Sequence, residues 1–210
     1  MKCVCFSDTH MKHKELTIPD GDALIFAGDM CGQGRESSAR KFARWMGEQP
    51  HKHKIVIAGN HDRCFEQGCR LPLKKYFSDQ GLIYLEHEPI AIEGIKFFGS
   101  PYTPWFMSWA FNVKGAFDLR RKWSFIPEDT EVLITHGPPF QVLDTSYLGQ
   151  NCGCQHLGIR IKDLLKLKVH VFGHIHFSYG AIELNNVLYL NCCSCGEDYN
   201  ITNPCLTFDV

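Results

Sequence analysis

Five separate apolar runs in this chain stop at side chains able to ligate a metal ion, and any fold the chain adopts must place those stops. Lys54-Ile55-Val56-Ile57-Ala58 leads into Gly59-Asn60-His61-Asp62, Cys3-Val4-Cys5-Phe6 into Ser7-Asp8-Thr9-His10, and Ala23-Leu24-Ile25-Phe26-Ala27 into Gly28-Asp29. Val132-Leu133-Ile134 runs into Thr135-His136-Gly137, and Val169-His170-Val171-Phe172 into Gly173-His174-Ile175-His176. Short β-branched runs read as strands buried on both faces. A glycine at the strand's end frees the backbone to turn, so polar groups leave the core together.

Between these strands the pattern changes period. Ala39, Phe42, Ala43 and Met46 predict a helix over 37–48, with Ser37 or Ser38 as its N-cap and Gly47 to Pro50 as its stop. Strand, helix, strand demands a parallel crossover. Shorter helices are expected around Lys74–Phe77, at Phe117–Trp123 and along Leu157, Ile161, Leu164 and Leu165. Hairpins are expected at Glu93-Gly94 and Asn185-Asn186, each between apolar runs, and a last strand at Cys205–Val210. The element order is mixed α/β, two packed sheets flanked by helices. With 210 residues and no internal repeat or linker, the chain reads as a single domain, 1–210.

A net charge of -1 gives no global field for a polyanion, so long nucleic acid is not an expected partner. Met1-Lys2 opens directly onto the first strand, and no apolar run approaches the ~20 residues that span a bilayer. A soluble, cytoplasmic protein without a membrane partner is the expectation. The 11 cysteines are odd in number and several lie inside apparent core strands, which favours free thiols over a disulfide framework. Cys152-Gly153-Cys154 and Cys192-Cys193-Ser194-Cys195 lack the spacing of zinc knuckles and read as loop and core thiols.

Asp8, His10, Asp29, Asn60, His136, His174 and His176 offer carboxylate, amide and imidazole ligands without a thiolate. That set suits manganese, iron, nickel or zinc better than calcium or magnesium. Seven ligands exceed the needs of one ion. Two ions ~3.5–4 Å apart share a carboxylate and clamp both oxygens of an in-line displacement at phosphorus, with a bridging water made acidic enough to attack. Taken singly, Asp8 could cap a helix and Asn60 could hold a turn; it is the repetition at five strand ends that argues for a site. His13, His51, His53, His87 and His156 stand outside the pattern and read as surface or satisfied core residues.

The blocks Asp8-Thr9-His10, Gly28-Asp29, Gly59-Asn60-His61-Asp62, His136 and Gly173-His174-Ile175-His176 resemble the motif series of the calcineurin-like metallophosphoesterases. Tyr102-Thr103-Pro104-Trp105-Phe106 and Thr135-His136-Gly137-Pro138-Pro139 make the chain similar to the family's metallophosphoesterase-domain-containing subgroup. The resemblance implies a four-layer αββα double β-sandwich. It implies two divalent transition ions, one held by Asp8, His10, Asp29 and His176, the other by Asn60, His136, His174 and the shared Asp29. It further implies catalytic roles for His61, beside the phosphate, and for Asp62, orienting the His61 ring. Some members of the subgroup have glycine where His174 stands and are thought to be weak catalysts, so His174 implies an active enzyme. Gly28-Asp29 continues into Met30-Cys31-Gly32 rather than the Asp-Arg-Gly block of protein phosphatases.

The expected substrates are therefore small phosphodiesters, with 2′,3′- or 3′,5′-cyclic AMP as candidates. Asn60, His61, Tyr102 and Trp105 are the candidate substrate contacts, the two aromatic rings as stacking partners for a base. Aromatic core under a long loop is the other reading of Tyr102 and Trp105. Two alternatives remain: a metal- and nucleotide-binding regulator or scaffold with little turnover, and a phosphomonoesterase or nuclease of the same superfamily.

Overall fold

Alternation along each strand sorts the side chains into three apolar layers, which is what stacks two sheets between helices. The computed structural model describes residues 1–66 and 70–210. The first sheet contains β1 (Lys2–Phe6), β2 (Ala23–Ala27), β3 (His53–Ile57) and β4 (Ile83–Tyr84), all parallel. The second contains β5 (Glu88–Ile92), β6 (Ile95–Ser100), β9 (Val132–Thr135), β10 (Val169–Phe172), β11 (Gly180–Leu184) and β12 (Val187–Asn191). Its spatial order is β11-β12-β10-β9-β6-β5, with antiparallel hairpins at both edges of a parallel centre. A short parallel pair, β7 (Thr103–Pro104) and β8 (Asn112–Val113), forms in the aromatic stretch read as loop. The last strand, β13 (Leu206–Asp209), joins the first sheet antiparallel to β1.

Cys3, Cys5, Ile25 and Ile55 turn inward against Val132, Ile134, Val169 and Val171 of the second sheet. Their alternates Val4, Phe6, Leu24 and Val56 pack outward against Phe42 and Met46 of α1 (Glu36–Gly47) and Leu73 and Phe77 of α2 (Arg70–Asp79). On the far side Phe98, Leu133 and Phe172 meet Leu119 and Trp123 of α3 (Ala116–Trp123) and Leu157 and Ile161 of α4 (Gln155–Ile161). The result is the αββα stack.

Both hairpins form where expected. Glu93 and Gly94 have φ of 51° and 85°, and Asn185 and Asn186 of 52° and 63°, the left-handed pair that a two-residue turn needs. Three local expectations need correction. Helix α1 starts at Glu36 after Arg35, without a side-chain cap, and Ser38 lies inside it with its hydroxyl on the Met11 sulfur. The helix around Lys74–Phe77 is longer than read, and α4 ends at Ile161, leaving Leu165 92% exposed. Apolar spacing marked that stretch, but Leu165 faces solvent. Ten cysteines are free thiols; Cys69 lies outside the described residues. Among the described residues no helix is long and apolar enough to cross a membrane.

Candidate metal centre

The five strands with ligand-type stops sit side by side, three in one sheet and two in the other, and their carboxyl ends converge on one cavity floor. Asp8, His10, Asp29 and His174 all adopt positive φ, between 42° and 72°, a conformation that non-glycine residues rarely hold without support from their surroundings. Gly59 and Gly173 answer to a different demand. A Cβ on Gly173 would collide with the Asp8 carboxylate and the Ser7 hydroxyl, and one on Gly59 with the Asp29 carboxylate and the His136 ring. Asp8, Asp29 and His136 are therefore seated against the bare backbone of a neighbouring strand end.

The imidazoles are anchored from behind. Nδ1 of His136 lies 2.9 Å from the Ala27 carbonyl, that of His176 2.9 Å from the Gly196 carbonyl, that of His61 2.8 Å from the Gly32 carbonyl and that of His10 3.3 Å from the Cys31 carbonyl. A carbonyl only accepts, so Nδ1 carries the proton in each ring and Nε2 points its lone pair inward.

Those inward atoms meet acceptors. Nε2 of His10 is 3.4 Å from Nε2 of His176, and Nε2 of His136 is 2.8 Å from Asn60 Oδ1 and 3.4 Å from Asp29 Oδ2. Asp8 Oδ2 accepts from Ser7 Oγ, from the His174 amide at 3.0 Å and from the Cys193 thiol at 3.1 Å. Its other oxygen, Oδ1, is buried without a hydrogen-bond partner among the described residues, 3.6 Å from His176 Nε2. Only a positive charge reconciles so many facing lone pairs, and imidazole with carboxylate is the donor set of a transition-metal site. Among the described residues three groups have ligand atoms within 4.8 Å of one another: Asp8, His10 and His176; His10, Asp29 and His61; and Asp29, His136 and His174. The donor set fits metal ions.

Without metal, protons supply that charge. Burial alone would raise the carboxyls of Asp8 and Asp29, but the surrounding histidines outweigh it and hold both below the usual carboxylate range. Burial likewise pushes His136 and His176 down, yet Asp29 lifts the first to about 10 and Asp8 the second to about 9. His174, depressed by burial and then by the charge of His136, falls to about 4.

Comparison with known proteins adds lineage to this chemistry. The family model described as calcineurin-like phosphoesterase matches residues 1–178. The chain belongs to that family. It is 36% identical to human metallophosphoesterase domain-containing protein 1 over 99% of its own length and 70% of that protein's. Among solved structures, a Thermus thermophilus protein superposes with a TM-score of 0.60 at 10% identity, covering 90% of this chain and 88% of its own. A structure described as a novel archaeal phosphodiesterase gives 0.51 at 18% identity, covering 93% of this chain and 85% of its own. At such identities the two structures speak for the fold alone.

Within this phosphoesterase the structure gathers Asp8, His10, Asp29, Asn60, His61, His136, His174 and His176 at one place and assigns other work to two of the expected residues. Asp62 does not orient the His61 ring. Its Oδ2 accepts the amides of Asp29 (2.9 Å), Met30 (3.3 Å) and Gly59 (2.8 Å), and its Oδ1 that of Cys31 (2.9 Å), so it knits the tips of β2 and β3 together. Burial and the nearby Asp29 nonetheless raise its carboxyl to about 6. Tyr102 is not at the centre either. It packs half-buried between Phe111, His87 and the Lys122 ammonium.

Trp105, by contrast, lines a cleft of about 460 Å³ shared with His174 and His176. Two residues beside the centre had no strand-end signal: Trp109, stacked on His61, and Tyr199, edge-on to His10 and His176. The density of aromatics over 102–111 was the only hint of the first. The five outlying histidines take no part in any ligand cluster among the described residues, and neither does any cysteine. His13, for instance, packs on Phe42 and Trp45.

Proposed function

We propose that this phosphoesterase hydrolyses small phosphodiesters at a two-metal centre. Asp8, His10, Asp29 and His176 would hold one divalent transition ion, and Asn60, His136, His174 and the same Asp29 the other, with manganese, iron or zinc favoured by nitrogen and oxygen donors. The observation that carries this reading is the placing of Asp29, whose Oδ2 lies 3.4 Å from His136 Nε2 and 4.0 Å from His10 Nε2, between two ligand groups. Bound ions supply Lewis acidity to the phosphoryl oxygens and lower the pKa of water.

The protein's own groups do the rest. His61 has Nδ1 committed to the Gly32 carbonyl, while its Nε2, 4.0 Å from Asp29 Oδ2, lies beyond hydrogen-bond reach of that carboxylate. An alkoxide leaving group needs a proton, and in the imidazolium form, with Nδ1–H held on the Gly32 carbonyl, Nε2 can deliver one. The His174 and His176 side of the centre opens into a cleft walled by Trp105, Phe106, Tyr147 and Tyr199; among the described residues, Glu197 is its one lining carboxylate and no lysine or arginine lines it. Such walls favour a substrate with a single phosphate and a flat, uncharged arm, which stacking on aromatic rings holds with ~1–3 kcal/mol per base. A cyclic nucleotide, 2′,3′- or 3′,5′-cyclic AMP, has that form. Free thiols at ten of the cysteines are consistent with work in the reducing cytoplasm.

The test is turnover of bis-aryl phosphate, cyclic nucleotides, aryl monophosphate and single-stranded oligonucleotide before and after chelation, with metal analysis of each sample. The expected result is diester hydrolysis lost on chelation, restored by manganese, and accompanied by about two ions per chain. Full activity with one ion per chain would overturn the two-metal reading, and preference for the monoester would overturn the substrate class.

A further inference from the structure

The loop between β7 and β8 does more than wall the cleft. Its first residues, Trp105 and Phe106, face the cleft, while its far end reaches the strand tip that carries Asn60 and His61. There the Ala110 amide donates to the Asn60 carbonyl at 3.1 Å, the Phe111 amide to Glu66 Oε1 at 2.9 Å, and Arg63 Nη2 to the Ser108 carbonyl at 3.0 Å. These bonds tie residues 108–111 to residues 60–66. Trp109, held between them, lies nearly parallel to the His61 ring, with centroids 4.0 Å apart and planes 25° apart. The Arg63 guanidinium sits 4.5 Å from the centroid of the Trp109 ring.

Among the described residues His61 has one hydrogen bond to its ring, from Nδ1 to Gly32. A single bond fixes one corner of an imidazole and leaves the ring free to tilt about that contact, carrying Nε2 through an arc. The edge of His10 meets the ring at 4.7 Å and 77°, whereas Trp109 alone among the described residues supplies a flat surface against its face. Indole stacked on imidazole sets the plane in which Nε2 points.

We propose that Trp109 is a positioning residue for proton delivery by His61. The inference rests on His61 as the donor to the leaving group. As a water-derived oxygen bonds to phosphorus, the bond from phosphorus to the leaving oxygen breaks with its electron pair on that oxygen. The imidazolium form of His61, its Nδ1–H kept on the Gly32 carbonyl, passes its Nε2 proton there and is left as neutral imidazole. Trp109 touches neither substrate nor metal in this scheme. Its effect is confined to the aim of one nitrogen, and so to substrates that need the proton.

That restriction gives the test. Trp109→Ala, Trp109→Phe and His61→Ala are compared with the parent protein, all loaded with manganese. The substrates are two diesters that differ only in leaving group, 4-nitrophenolate or a simple alkoxide. Misplacement of a catalytic group costs up to ~10²-fold, so Trp109→Ala should slow the alkoxide substrate by ~10–10²-fold and the nitrophenolate substrate by under about 3-fold. Metal content should not change, and Trp109→Phe should recover most of the loss. Independently of turnover, in zinc-loaded protein, which is diamagnetic, the Cε1 proton of His61 should show an NMR shift displaced by the indole ring current, lost in Trp109→Ala and partly kept in Trp109→Phe. Equal slowing of both substrates, or a His61 resonance that does not move, overturns the proposal. If His61→Ala discriminates between the leaving groups and Trp109→Ala does not, only the role of Trp109 falls. If His61→Ala does not discriminate, the reading of His61 fails first and takes the proposal with it.

Discussion

The two ends of the stacked sheets handle carboxylates in opposite ways. At the amino ends of the strands, Glu93 meets Lys52, Asp129 meets Lys96 and Glu131 meets Lys168, all near solvent. At the carboxyl ends Asp8 and Asp29 are buried, and among the described residues neither is paired with lysine or arginine. Exposed pairs with long flexible amines contribute little and tolerate change. A buried carboxylate ringed by imidazole lone pairs is unstable until a positive charge arrives, and its whole surrounding has to be shaped to wait for that charge. One end is built for solubility, the other for a ligand.

The sharpest test of this contrast is Asp29→Ala. If Asp29 joins two ligand groups, its loss should remove metal as well as activity, with turnover down at least ~10³-fold, since Lewis-acid stabilisation is worth several kcal/mol. Metal analysis beside the rate measurement decides; retention of both ions would leave the carboxyl end no more specialised than the other.

Asp62→Asn probes the support rather than the site. Replacing one of two oxygens that accept four amides sets an N–H donor against another, at a cost of about 1–3 kcal/mol. For a chain of this length that corresponds to a Tm lower by about 2–12 °C in calorimetry. An unchanged Tm would mean that the tips of β2 and β3 hold their shape without it.

Acidity gives a subtler comparison. In metal-free protein His136 and His176 take up protons on folding, because Asp29 and Asp8 overcome burial and lift them to about 10 and about 9. The stability this adds is fully present below the ordinary histidine value of ~6.5 and is lost as pH rises through 9 and 10. Metal-loaded protein has no such protons to lose. Melting curves of chelated and manganese-loaded samples from about pH 6.5 to 10 should therefore diverge, the chelated one falling faster; parallel curves would contradict the assignment. Least of all should change at the other end, where Lys168→Ala is expected to move Tm by no more than about 3 °C and to leave turnover intact.

The sequence was most legible where one local rule decided the outcome. Strand tips were visible because a β-branched core run cannot end in His or Asp without a reason, and both hairpins because Glu93-Gly94 and Asn185-Asn186 supply residues able to take positive φ. What stayed hidden depends on contacts between distant segments. Asp62 adjoins His61 in the chain, yet its partners are amides, which carry no sequence signal. Of the two aromatics singled out in the stretch, Trp105 lines the cleft and Tyr102 does not, while Trp109 carries no distinguishing letter: only the ties of residues 108–111 to the Asn60 tip turn it inward onto His61. The same limit governs Leu165, which keeps the helical spacing but lies past the end of α4.

One carboxylate receiving amides from two strand ends has a further effect. The N–H groups of Asp29, Met30, Cys31 and Gly59 share one buried acceptor, so any opening that displaces the Asp62 carboxylate frees all four together. In deuterated water these positions should trade their hydrogens as a set, at a common rate far below that of the exposed turns. The floor on which the ligands stand would then be among the slowest-exchanging parts of the molecule.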